Sequence, residues 1–130
     1  MDIPALAEAY VRRQPQEDSQ KAESELHRML REDPEDAWDF ITAAIDAARS
    51  VDDLGFIGAG PIEDMLRFWG GRFNDDLIAR ARVDPRWGYA ARMVQGTPGA
   101  QEAADAAEVA WPDFQSLTVL AGEALREVDH

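Results

Sequence analysis

Gly58-Ala59-Gly60-Pro61-Ile62-Glu63-Asp64 is the run whose residue types come nearest to a reactive constellation. A glycine turn that feeds a helix exposes free N–H groups, and such groups attract anions. Here Glu63 and Asp64 occupy the first turn and would repel a phosphate. No Lys-Ser/Thr pair of a phosphate loop follows, and no dinucleotide glycine pattern follows a strand. The two acids, adjacent on a helix, point about 100° apart, so they do not share a cleft as a catalytic pair must. Asp52-Asp53 and Asp75-Asp76 have the same defect, and none of these pairs has calcium-loop spacing. The expected role of the glycines is a tight buried turn, with the acids satisfying the helix start. Glu63 as general base is kept as the enzymatic alternative.

The other reactive side chains are sparse. His27 lies on the polar side of a helix and His130 is the last residue, and neither has a metal-ligand neighbour at helical spacing. Ser19, Ser24, Ser50 and Ser116 occupy no nucleophile-elbow context. Cysteine is absent, which removes thiolate chemistry and disulfides. No catalytic residue, cofactor or metal is therefore expected. The remaining chemistry is recognition. Trp38-Asp39-Phe40 and Trp111-Pro112-Asp113-Phe114 interleave rings with carboxylates, the pairing that anchors a basic protein partner. The nominated partner-binding residues are Glu35, Asp39, Phe40 and Asp46, with Asp105, Glu108, Asp113 and Phe114 near the C-terminus. Trp38 and Phe40 lie about 200° apart on a helix. Trp38 falls on the apolar stripe, so Phe40 is the ring expected to be exposed.

Helices must position all of these residues, because the apolar pattern is helical almost throughout. Ile3, Leu6, Ala7 and Tyr10 mark a first helix, interrupted at Pro15. Ala22, Leu26, Met29 and Leu30 mark a second. Asp33-Pro34-Glu35-Asp36 is a helix start, with a cap, a first-turn proline and acids at the positive end. Trp38, Ile41, Ala44, Ile45 and Ala48 form the buried stripe of that third helix, expected to end near Ser50. Residues 54–60 are expected to be a connection. Pro61 starts a helix with Ile62, Met65, Leu66 and Trp69 inward, stopped by Gly70-Gly71. Phe73, Leu77, Ile78 and Ala81 mark the next, up to Asp84-Pro85. Trp87, Ala90, Ala91 and Val94 mark another, ended by Gly96. Thr97-Pro98-Gly99 is the best joint. An alanine-rich helix over 100–110 and a last helix from Pro112-Asp113 follow, the latter with Phe114, Leu117, Ala121, Ala124, Leu125 and Val128 inward. The expected fold is all-α: a single domain over 1–130, built as a compact bundle or short stack of about six to seven antiparallel helices. Within it, 33–96 is a central region and 97–130 a C-terminal helical pair.

Charge limits the partners. The chain has 130 residues, 26 acidic and 13 basic, for a net charge of −13. Residues 97–130 hold seven acids and one base. Nucleic acid and anionic membrane both need a basic footprint, so neither is expected as a direct partner. A basic protein would be steered in. Residues 1–10 lack a basic start and an apolar run, and no stretch approaches the roughly 20 apolar residues of a membrane span, so the expected compartment is the cytoplasm.

Residues 33–96 resemble a bacterial family without established activity. The resemblance is carried by Ala37-Trp38, Asp52-Asp53-Leu54 and Ala59-Gly60-Pro61-Ile62-Glu63-Asp64-Met65-Leu66, followed by Gly70 and Asp84-Pro85. Relatives have His-Gly where this chain has Trp69-Gly70. The resemblance implies a helical fold and a bacterial origin, and no mechanism. The leading expectation is a non-enzymatic protein-binding module of the immunity or antitoxin kind, inhibiting a basic partner such as a nuclease toxin. A homo-oligomeric structural or regulatory accessory domain is the second expectation, and an enzyme working through Glu63 the third.

Overall fold

The computed structural model describes residues 2–96 and 98–128, with the side chains of Pro98, Glu127 and Val128 left aside. Thr97, Val128 as an inward side chain and His130 therefore lie outside the described residues. Among those described there is no strand. The fold is all-α, as the periodicity required. No described helix is long and apolar enough to cross a membrane. The chain forms two compact units, Met1–Ala48 and Arg49–His130.

The N-terminal unit holds α1 (Ile3–Arg12), α2 (Gln16–Glu32) and α3 (Pro34–Ala47). Asp2 starts α1 by accepting from Ala5 N–H at 3.1 Å. Arg13, with φ of 62°, ends it in the left-handed region. Ala22, Leu26, Met29 and Leu30 are the buried stripe of α2, as their spacing required. Arg28 ties the end of α2 to its neighbours: it donates to Asp33 Oδ2 at 2.6 Å and to Glu25 Oε2 at 3.2 Å. These bonds, Asp33 first, raise the guanidinium above its ordinary pKa.

Phe40 corrects the sequence expectation. It is fully buried, and Trp38 is buried with it. Its ring meets Tyr10 edge-on, with centroids 5.5 Å apart. The reason is the width of the buried arc. Helix α3 packs on both α1 and α2, and Ala37, Trp38, Phe40, Ile41, Ala44 and Ile45 are all covered. Two residues that are 200° apart one way round a helix are 160° apart the other way. An arc that wide takes in both rings.

The C-terminal unit begins with a second correction. Residues 54–60 are helix, not a connection. α4 (Val51–Ile57) passes into a π-helical turn (Gly58–Ile62) and on into α5 (Glu63–Val83) without a break. Helix α3 ends at Ala47, near Ser50 as expected, and Ser50 caps α4 by accepting from Asp53 N–H at 3.2 Å. Asp53 returns the bond by accepting from Arg49 N–H at 3.0 Å. The wider π turn accommodates Pro61, which has no N–H to donate and would clash in a regular α-helix. Just before Gly70-Gly71, where a stop was expected, α5 is two helical segments joined at a kink. The helix kinks at Trp69, where φ is −136° and ψ is 27°, and then continues. Helix α6 (Pro85–Arg92) starts at Asp84, as the Asp-Pro pair required, and is followed by α7 (Pro98–Ala110) and α8 (Phe114–Val128). With α4 to α5 counted as one rod, the described residues form seven.

Helix α6 is the centre of this unit. It packs against α4, α5, α7 and α8. Its small residues set the distances. A Cβ on Gly58 would run into the Ala90 carbonyl oxygen and lie 2.9 Å from the Ala90 carbonyl carbon. The missing side chain is what lets the π turn rest directly on the α6 backbone. Gly88 does the same for Trp111: a Cβ there would lie 2.8 Å from Trp111 Nε1. That indole N–H donates to Ala81 O at 2.8 Å, which pins the turn between α7 and α8 across α6.

Candidate functional site

The acids that follow the glycine-proline run make structural contacts. Glu63 Oε1 accepts from Gln95 N–H at 3.0 Å, and Oε2 faces Arg67 at 3.3 Å. Asp64 shares the same arginine at 3.3 Å. Glu63 thus ties the start of α5 to the chain just after α6, with both oxygens engaged. No group of three or more metal-ligating side chains occurs among the described residues.

The nominated acids of the N-terminal unit share one face. Glu35, Asp39 and Asp46 are exposed. Their positions on α3 fall within about 40° of one another, along about 16 Å of helix. With Phe40 in the core, this stripe has charge but no aromatic anchor of its own.

The other nominated residues lie in the C-terminal unit. Asp105 and Glu108 are exposed on α7, and Asp105 accepts from Gln101 Nε2 at 2.7 Å. Phe114 is 37% exposed. It stacks on Tyr89 with centroids 5.5 Å apart, and the Arg92 guanidinium sits 5.2 Å from its ring centre. Phe114 is thus part anchor and part packing. Trp111, pinned to Ala81, is a clamp. Asp113 caps α8: Oδ2 accepts from the Ser116 hydroxyl at 2.8 Å and Oδ1 from Gln115 N–H at 3.1 Å. These bonds, the Ser116 hydroxyl first, hold its carboxyl below the usual range, so the residue stays ionised. Helix α7 packs mainly on α5 and next on α6, and α8 packs mainly on α6, rather than on each other.

The tertiary structure adds two residues that sequence reasoning missed. Leu117, Ala121 and Leu125 make the buried stripe of α8. Opposite that stripe Val119 is 57% exposed, and Leu120, on its flank, is 40% exposed. With Asp113, Gln115, Ser116 and Glu123 they line a shallow groove of about 500 Å³. Asp113 and Glu123 frame the apolar pair at its two ends. The signal was present in the sequence, since α8 carries apolar residues on more than one stripe. Periodicity alone does not tell which of these stripes closes the core.

A family model matches residues 11–97, about two thirds of the chain. The chain belongs to this family of unknown function, DUF6869. The DUF6869 match begins 22 residues before the region singled out in the sequence, so it takes in all of α2 as well. It ends just before α7. The acid-framed groove on α8 therefore lies beyond the DUF6869 segment. No curated protein and no solved structure matches the chain.

Proposed function

We propose that this chain is a non-enzymatic binding module that engages a basic protein through the outer face of α8. The observation that carries the proposal is the exposed pair Val119 and Leu120 lying between Asp113 and Glu123. An apolar centre with a charged rim is the anatomy of a protein interface. The rim selects the partner. Over residues 97–130 the chain has seven acids and one base, Arg126. A two-fold contact between identical copies would set these acids against each other, which disfavours the homo-oligomeric alternative. The enzymatic alternative is weakened by Glu63, whose oxygens are both engaged.

Glu35, Asp39 and Asp46 act in this reading as a steering stripe, together with Asp105 and Glu108. Phe114 supports the base of α8. The concrete form is an inhibitor of the immunity or antitoxin kind that covers the cationic surface of a partner such as a nuclease toxin. That form rests on analogy with other small acidic domains. On the same reading the protein works in a bacterial cytoplasm, and Gly60-Pro61-Ile62-Glu63 is the structural signature of its family.

The test is capture of native partners at low salt, followed by elution in a salt gradient, with the double variant Leu120→Lys, Glu123→Lys beside the natural chain. A stoichiometric basic protein, released by salt and lost from the variant, is the expected result. Equal capture by the variant would remove α8 from the interface. Capture of no basic protein would sink the reading.

A further inference from the structure

The N-terminal unit has an open side of its own. Three helices pack there, and α1 touches both others. One face of α1 and one of α2 remain uncovered and border a cleft of about 480 Å³. Its lining is ordered in two stripes. Asp2, Ala5, Leu6 and Ala9 come from α1, and Asp18, Lys21 and Glu25 from α2. Each stripe repeats at three and four residues and extends about 10 Å, two helical turns.

The floor of the cleft is small and apolar. Ala5 and Ala9 sit one turn apart with Leu6 beside them, and alanine lets a second backbone approach closely. The walls carry three carboxylates against one ammonium. Asp2 and Asp18 are exposed. Glu25 is half-buried and also faces Arg28 at 3.2 Å. Lys21 is the only lysine in the chain.

From this lining we infer that the cleft between α1 and α2 is a seat for a fourth helix, supplied by a cationic amphipathic segment of a partner. The occupant's small apolar face rests on Ala5, Leu6 and Ala9, and its arginines or lysines meet Asp18 and Asp2. Helix-in-groove docking uses this combination of an apolar floor and a complementary charged border. Charge selects the occupant. A second copy of the unit would bring another net-acidic pair of stripes to the same cleft, and an acidic helix would meet carboxylates on both walls. The groove on α8 plays no part in this site, so each can fail without the other.

Lys21 provides the readout. Reductive methylation with isotopic formaldehyde keeps its charge and gives a single side-chain resonance, distinct from that of the terminal amine. The probe is an 18-residue synthetic helix with an Ala/Leu face flanked by arginines, added to the full chain at low salt. Two control peptides accompany it: a scrambled sequence, and a version with glutamate replacing every arginine. The expected result is saturable binding that shifts the Lys21 signal, weakens with added salt, and is absent for both controls. Ala5→Arg, which places a cation on the floor, and Asp18→Lys, which inverts the wall, should each weaken binding by about tenfold or more. Both sites are exposed, and circular dichroism verifies that the helices persist. Absence of binding, an unmoved Lys21 signal, or equal binding of either control would overturn the inference. A Lys21 shift that follows protein concentration without peptide would overturn it in favour of self-association.

Discussion

Replacing Gly58 by alanine sets two effects of opposite sign against each other. Gly58 is in helical conformation, with φ −64° and ψ −49°, and alanine is the better helix former by about 1 kcal/mol. On propensity alone the variant would gain stability. The new Cβ, however, would run into the Ala90 carbonyl oxygen and lie 2.9 Å and 3.2 Å from the Ala90 carbonyl carbon and Cα. These are main-chain atoms of α6, the helix that the rest of the unit packs on, and no rotamer change moves them. Either the π turn lifts off α6, or α6 shifts against its neighbours. Overpacking of this kind costs about 3 kcal/mol when the obstacle is rigid. The net expectation is a loss of about 2 kcal/mol, or about 7 °C in Tm for a chain of this size. Urea denaturation followed by tryptophan fluorescence is a suitable assay, because Trp69, Trp87 and Trp111 all lie in this unit. Gly71→Ala is the internal control. It too lies within a helix, but a Cβ there meets nothing within 4 Å. It should stabilise by about 0.5–1 kcal/mol. If Gly58→Ala were as stable as the natural chain, the close seating of the π turn on α6 would be refuted.

Phe40→Ala should cost about 3–5 kcal/mol in urea denaturation, since it empties a fully buried site; a loss under about 0.5 kcal/mol would instead mark a surface ring. Trp111→Phe removes the indole donor to Ala81 O and part of the ring packed on Gly88, and should cost about 1 kcal/mol or more by the same measurement. Asp113 has a folded-state pKa below its unfolded one, so its contribution is complete above about pH 4 and is lost as pH falls through the lower folded value. Amide exchange at Gln115 and Ser116 should accelerate in that acid window, and an NMR titration placing the Asp113 carboxyl at or above about 3.9 would contradict its role as a cap.

Much of the local structure could be read from residue order. The α2 stripe follows directly from Ala22, Leu26, Met29 and Leu30, because a single exposed helix face leaves the 3.6-residue period intact. Pro34 and Pro85 start helices where they stand, each preceded by an aspartate, since proline suits the first turn and acids suit the positive end. The expectations failed where local signals met a neighbour. Gly58 and Gly60 signal a break by propensity, yet both lie within helical turns, and Gly58 serves close approach to α6 rather than chain reversal. The break expected at Gly70-Gly71 falls one residue earlier, at Trp69, where two helical segments of α5 meet at a kink.

The candidate site divides in the same way. Composition and order alone determined an all-helical chain, a surplus of carboxylates concentrated toward both ends, and the absence of thiol chemistry. They also placed Glu35, Asp39 and Asp46 on one face, because that follows from helix geometry without reference to any partner helix. Tertiary structure alone decided which rings are anchors. Phe40 is covered because α3 touches two helices at once, Trp111 is a clamp because Gly88 leaves room for its indole, and Phe114 is shared between solvent and Tyr89. It also decided that Val119 and Leu120 face outward. Periodicity reports which residues share a face, but only the packing of neighbouring helices determines how many faces of a helix are covered.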